Sequence, residues 1–268
     1  MSFSVLMSIY KNEKKEYLEE CLSSIKNQTL LPDDIVIVID GPVPEELLNT
    51  IKIWCEELPI NIVKLIDNVG LGKALNYGLS YCKYDIVFRM DTDDICVEDR
   101  FYVQYTFLKN NPEVIVLGGD VQEFGRDKND LRKIRKMPCL SSDIIKFSKY
   151  RNPINHMSVA FRKKEVLDVG AYQHHLFMED YNLWLRLISK NYPIKNLNQV
   201  LVLARVGNEF EKRRRGIEYI KSELKLFMLK KELNVLPLSS NVAVFFMRTV
   251  PRILPVFLLK KLYKILRK

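Results

Sequence analysis

Three carboxylates fall within four positions, Asp91, Asp93 and Asp94, after the apolar run Ile86-Val87-Phe88 and the pair Arg89-Met90. Like charges this close repel unless a cation or solvent takes them up. Asp91 and Asp93, alternate residues past a strand end, can approach one Mg²⁺ or Mn²⁺ together. A divalent ion held there would neutralise a diphosphate and assist its departure. The same acids also suit a solvated turn capping a helix that begins near Glu98, and the segment by itself leaves both readings open. An EF-hand loop from Asp91 would need Gly at its sixth position and Glu at its twelfth, where this chain has Cys96 and Tyr102. Neither GxxxxGK[ST] nor GxGxxG occurs, so phosphate would be held by metal and scattered donors instead of one Gly-rich cradle. With three histidines and no HxxxH pair, zinc chemistry is not expected.

These acids need a strand behind them, and the patterning supplies several. Residues 3–9 and the β-branched run 35–39 read as buried strands, the second ending at Asp40-Gly41-Pro42, again an acid at a strand's carboxyl end. Residues 61–65, 86–88 and 114–119 read as further strands, with helices at 16–28, 45–57, from Leu71, and at 98–111. Strand and helix alternating at this spacing predict βαβ units and a mainly parallel sheet, whose ligand sites lie at the strands' carboxyl ends. After Gly125 the pattern loosens. Residues 126–136 read as a polar loop, 158–161 as a short strand, 179–190 as a helix with Trp184 in its core face, 199–206 as a late strand, and 208–232 as a long charged helix. His174 and His175 are expected at the surface. His156 is open between packing and facing a ligand.

The chain's 268 residues carry a formal net charge of +9. Residues 241–268 hold seven basic side chains and no acid, leaving +2 for the rest, so the basicity belongs to one apolar terminal segment and does not indicate nucleic acid. Basic residues among apolar ones suit a segment lying in the headgroups of an anionic leaflet. Five cysteines without a CxxC pair read as reduced thiols of a cytosolic protein. The short N-terminal apolar run lacks the basic flank of a signal peptide. No uninterrupted apolar stretch reaches the roughly 20 residues of a spanning helix.

Taken in order, SVLMSIY, VIVIDG, NVGLGKALN, RMDTDD and MEDYNLWLRL resemble the family 2 glycosyltransferases of GT-A fold, over roughly residues 3–206. The resemblance implies an α/β catalytic domain at 1–206, with a nucleotide-binding half (1–125) and an acceptor half (126–206). A helical, basic C-terminal extension at 207–268 would associate with membrane. It implies that Ser8, Tyr10 and Asp40 contact the nucleotide base, that Asn68 and Lys73 line its other side, and that Asp91 lies near ribose and metal. Asp93 would bind Mn²⁺ or Mg²⁺, and Asp180 would be the general base of an inverting transfer from a UDP-sugar. QxxRW and spanning helices of processive members are missing, so one sugar is added per event. The subgroup with RMDxDD, EDYxLWLRL and an Arg-rich segment is similar to bacterial O-antigen and capsule transferases. That implies glucose or galactose as the hexose and undecaprenyl-diphosphate-linked GlcNAc or GalNAc as acceptor. The enzyme would then be peripheral, at the cytoplasmic face of the inner membrane. Arg89, His156 and Arg213 to Arg215 fit the subgroup without assigned roles. The competing classes are a sugar nucleotidyltransferase, which would need a Gly-rich loop where this chain has Tyr10-Lys11-Asn12-Glu13, and a non-catalytic, membrane-associated nucleotide-sugar-binding protein.

Overall fold

The computed structural model describes residues 1–206 and 216–253. Its centre is a run of four parallel strands: β1 (Ser4–Ile9), β2 (Asp34–Ile39), β3 (Ile60–Lys64) and β4 (Ile86–Arg89), in the order β3-β2-β1-β4. The β-branched run of β2 suits a pleated surface, and all six of its residues are buried, as expected of a strand covered on both faces. Side chains alternate between two cores. Val5, Met7, Ile35, Ile37 and Ile39 join one, against α1 (Lys15–Lys26), α2 (Glu45–Trp54) and α4 (Arg100–Asn110). Leu6, Val36 and Val38 join the other, against α3 (Leu71–Tyr81) and α7 (Glu179–Ser189). At Gly78 of α3 a Cβ would sit 2.4 Å from Val38 Cγ2 and 2.7 Å from Leu6 Cδ1, so only glycine lets the helix approach the sheet this closely.

Beyond β4 the sheet turns mixed. β8 (Ala160–Arg162) lies antiparallel between β4 and β6 (Val116–Phe124), and β9 (Ile194–Arg205) runs parallel to β6. A two-residue β5 (Ile95–Cys96) pairs with β9. Three expectations are corrected here. The polar loop at 126–136 contains β7 (Leu131–Arg135), a largely exposed edge strand hairpinned onto β6. Its charged side chains hide any apolar period, a common way of protecting a sheet edge. β6 and β9 are also longer than their apolar cores suggested, because each supplies the other's backbone partners. Finally, α5 (Ser141–Ser148) and α6 (Lys163–Asp168) occupy stretches in which no element was foreseen.

Residues Met1–His174 and Glu179–Val206 form one compact unit, and His175–Met178 belongs with the C-terminal helices in a second. There α8 (Ile217–Glu232) and α9 (Leu238–Ile253) pair through a two-armed Arg248–Glu223 salt bridge at 2.7 and 2.9 Å, an Asn241 Nδ2 bond to the Phe227 carbonyl and a Phe227–Phe245 ring contact. His175, expected at the surface, is fully buried in this unit. Its Nε2 lies 2.9 Å from the Ser222 carbonyl, a partner that neighbours in sequence could not reveal. The expected helix at 208–232 is seen from Ile217; Arg213 to Arg215 and residues 254–268 lie outside the described residues. No helix among the described residues is long and apolar enough to cross a membrane.

Candidate functional site

Because β1 to β4 run parallel, their carboxyl ends share one edge, which brings Ser8 and Tyr10, Asp40, and Asp91 to Asp94 to it. Ser8 is partly buried and Tyr10 exposed. Asp40, which is 3% exposed, accepts hydrogen bonds from Asn68 Nδ2 (3.0 Å), the Val69 amide (2.7 Å) and the Gly70 amide (3.0 Å). Its carboxylate therefore shapes the turn into α3, helped by Gly41, whose φ is +80° and where a Cβ would lie 2.6 Å from the Asn68 nitrogen. Asn68 is exposed on that turn and Lys73 is exposed in the first turn of α3.

The acidic cluster is built on buried arginines. Arg100, wholly buried, donates to the Arg89 carbonyl at 2.8 Å and fixes the end of β4. Arg89, only 2% exposed, grips Asp91 with both arms, one at 2.5 Å from Asp91 Oδ2 and the other on Oδ1. The Arg205 amide donates to Asp94 Oδ1 at 2.8 Å, and Arg205 Nε to the Asp93 carbonyl at 3.1 Å. Asp94 is thus tied to the end of β9 and does not cap α4, whose cap residue Asp99 makes no side-chain capping bond. That removes the helix-cap reading of the cluster.

One oxygen from each of Asp91, Asp93 and Asp94 can lie within 4.8 Å of the others. Burial, followed by the charges of Asp91 and Glu13, pushes the Asp93 carboxyl up to about 7, and burial pushes Asp94 well above the carboxylate range. Asp94 Oδ2 is buried without a partner. An all-oxygen set short of positive charge suits a hard divalent cation, and these three residues fit one.

Asp180 stands at the start of α7. Its Oδ2 accepts from Asn152 Nδ2 at 2.6 Å and its Oδ1 from the Tyr181 amide at 2.7 Å. Burial raises its pKa; these two bonds and the charge of Arg89 offset part of the rise. A helix start favours the ionised form; desolvation outweighs that effect. Arg89 therefore holds Asp91 directly and acts electrostatically on Asp180. Tyr172 feels the charges of Arg89, Asp180 and Asp91 together. His156 is packed, its Nε2 2.9 Å from the Tyr172 hydroxyl and its ring edge-on to Trp184, and burial together with Arg89 keeps it neutral well below its ordinary pKa. Trp184 is core, as its spacing indicated.

Sequence reasoning missed Asn152, Tyr172 and Arg205. Arg205 had a faint signal, a charge ending the apolar run Val200 to Ala204; Asn152 and Tyr172 had none, since their partners are distant in the chain.

The glycosyl transferase family 2 model matches residues 4–170. The chain is 46% identical over 266 residues to the amylovoran biosynthesis glycosyltransferase AmsE of Erwinia amylovora, covering 99% of both chains. It is 43% identical over 223 residues to the UDP-Gal:alpha-D-GlcNAc-diphosphoundecaprenol beta-1,3-galactosyltransferase of Escherichia coli, covering 83% of this chain and 81% of that one. Among solved structures, S. aureus TarS 1-349 in complex with UDP-GlcNAc superposes with a TM-score of 0.70 at 17% identity, over 92% of this chain and 71% of the other. The parallel-then-mixed sheet with acids at its carboxyl edge is the GT-A fold. The chain belongs to glycosyl transferase family 2, and is a glycosyltransferase. Family membership displaces the sugar-nucleotidyltransferase alternative.

Proposed function

We propose that this enzyme is an inverting, non-processive, metal-dependent hexosyltransferase of bacterial polysaccharide repeat-unit synthesis. It takes glucose or galactose, with galactose favoured by the E. coli relative's name, from a UDP-sugar. The acceptor is undecaprenyl-diphosphate-linked GlcNAc or GalNAc, met at the cytoplasmic face of the membrane by a peripheral protein. Residues 1–206 carry catalysis and residues 207–268 form the membrane-associating extension. The observation that carries this reading is the presence of two carboxylate sites in one domain: the acids Asp91, Asp93 and Asp94, with Asp91 held by the buried Arg89, and the separate Asp180, held by Asn152.

Ser8, Tyr10 and the Asp40-held turn with Asn68 and Lys73 bind the nucleotide. Bound by Asp93, Asp94 and Asp91, Mn²⁺ or Mg²⁺ would supply neutralising charge to the departing diphosphate. Asp180 accepts the proton of the acceptor hydroxyl as that oxygen attacks the anomeric carbon. Asn152 holds the carboxylate in place, and burial lifts its pKa, which strengthens it as a base. The test is a radiolabelled panel of UDP-glucose, UDP-galactose, UDP-N-acetylhexosamines and a GDP-sugar with a synthetic lipid-diphosphate GlcNAc and Mn²⁺. Transfer from UDP-galactose or UDP-glucose is expected. Transfer from no donor would favour a binding protein over an enzyme.

A further inference from the structure

Helix α9 packs Val244 and Phe245 inward and is nonetheless apolar on its outer face as well. Asn241 and Thr249 are buried at 1% and 4%, and Arg248 turns inward onto Glu223. The opposite face consists of Leu238, Ser239, Val242, Ala243, Phe246, Met247 and Val250, all exposed and none charged. Phe246 and Met247 are each 57% exposed, Leu238 56% and Val250 47%. Their spacing of three and four residues makes this one continuous apolar stripe. Leaving it in water forfeits the burial energy of several large side chains.

We propose that this outward stripe of α9 is the surface by which the chain docks on an anionic lipid leaflet. The occupant follows from charge. Residues 241–268 contain seven basic side chains and no acid; two of them, Arg248 and Arg252, turn to Glu223 and the Tyr219 ring, and Lys260, Lys261, Lys264, Arg267 and Lys268 follow in sequence. An apolar stripe followed by a cluster of cations matches the boundary between acyl chains and anionic headgroups. Charge sets the mode: Arg248 and Arg252 lie within the described turns of α9 beside the apolar stripe, an arrangement that suits a helix lying in the interface plane. The Arg248 salt bridge to the buried Glu223 fixes the rotation of α9 on α8 and so keeps the apolar side outward. This inference rests on the reading of the acceptor as lipid-linked and names the surface that brings the enzyme to it.

The experiment is flotation of the full chain with phosphatidylglycerol–phosphatidylcholine vesicles and with pure phosphatidylcholine vesicles, for the wild type and for Phe246→Ser combined with Met247→Ser. Both side chains are exposed, so the fold, checked by circular dichroism and melting, should persist. Wild-type chain should float with the anionic vesicles, and the double variant should bind them at least about tenfold more weakly. Equal binding by both chains, or no wild-type binding, would overturn the proposal. So would a wild-type dimer, seen by light scattering, that the double substitution dissolves, since the stripe would then belong to a second copy. Transfer to a water-soluble acceptor analogue, run in parallel, separates the two claims. Transfer without vesicle binding overturns the docking surface and the membrane-associating extension but leaves the catalytic reading standing, and vesicle binding without transfer overturns only the catalytic reading.

Discussion

Replacing Arg89 with methionine would leave the acids without their buried counter-charge. Arg89 is 2% exposed and Asp91 29%. Breaking a fully buried pair costs about 3–5 kcal/mol, and water reaching the half-open Asp91 reduces this to roughly 2–4 kcal/mol. Two ionised carboxylates within 4.8 Å of one another repel by at least about 3–4 kcal/mol at an effective dielectric near 20. The loss should therefore show as a fall in melting temperature of about 5–15 °C in chelator. It should shrink as Mn²⁺ is titrated in, by more than Mn²⁺ raises the wild type, because the cation replaces the missing charge. Arg89→Lys should fall between, keeping the charge and losing the two-armed grip. Differential scanning calorimetry across a Mn²⁺ series reads all three chains. An Arg89→Met chain as stable as wild type, or destabilised equally at every Mn²⁺ concentration, would refute the account of the cluster.

Asp40→Ala should free the turn at Asn68 to Gly70 and cost about 2–3 kcal/mol by removing a buried acceptor of three N–H donors, with a raised KM for the donor in initial-rate assays. Because burial raises Asp180, the acidic limb of kcat/KM should lie above the ordinary carboxylate value of about 4. Activity is lost as pH falls through that limb and the base becomes protonated. Asn152→Ala removes a bond that holds the carboxylate ionised, and should move the limb to higher pH. In the C-terminal unit, burial lowers Lys230 to about 7. Between that value and about 10.5 the unfolded chain binds the extra proton, so stability rises with pH across this window by at most ~1.4 kcal/mol per unit. Lys230→Met should flatten that dependence in urea titrations.

The first four strands were legible because β-branched and apolar runs such as residues 35–39 carry their burial in their own composition. The positions of Asp40 and Asp91 to Asp94 beyond strand ends followed from that. Charged residues of β7 gave no period, and its only reason to be a strand is the edge of β6 beside it. His175 looked like its exposed neighbour His174, since the Ser222 carbonyl that receives it lies 47 positions away. A helix-cap reading of the acids stayed open because a nearby helix was visible and the Arg205 amide that binds Asp94 was not. Arg89 lay in plain view within RMDTDD. Its burial and its grip on Asp91 are tertiary facts, and they are what holds the acidic cluster in place.

The most direct test is Asp180→Asn, in which the side chain keeps its size and loses its basicity. Transfer of radiolabelled hexose from the active UDP-sugar to lipid-diphosphate GlcNAc should fall by about 10²–10⁴, while calorimetric binding of UDP with Mn²⁺ stays near the wild-type affinity. An Asp180→Asn enzyme that transferred sugar at the wild-type rate would contradict the assignment of the base, and with it the two-site account of this active centre.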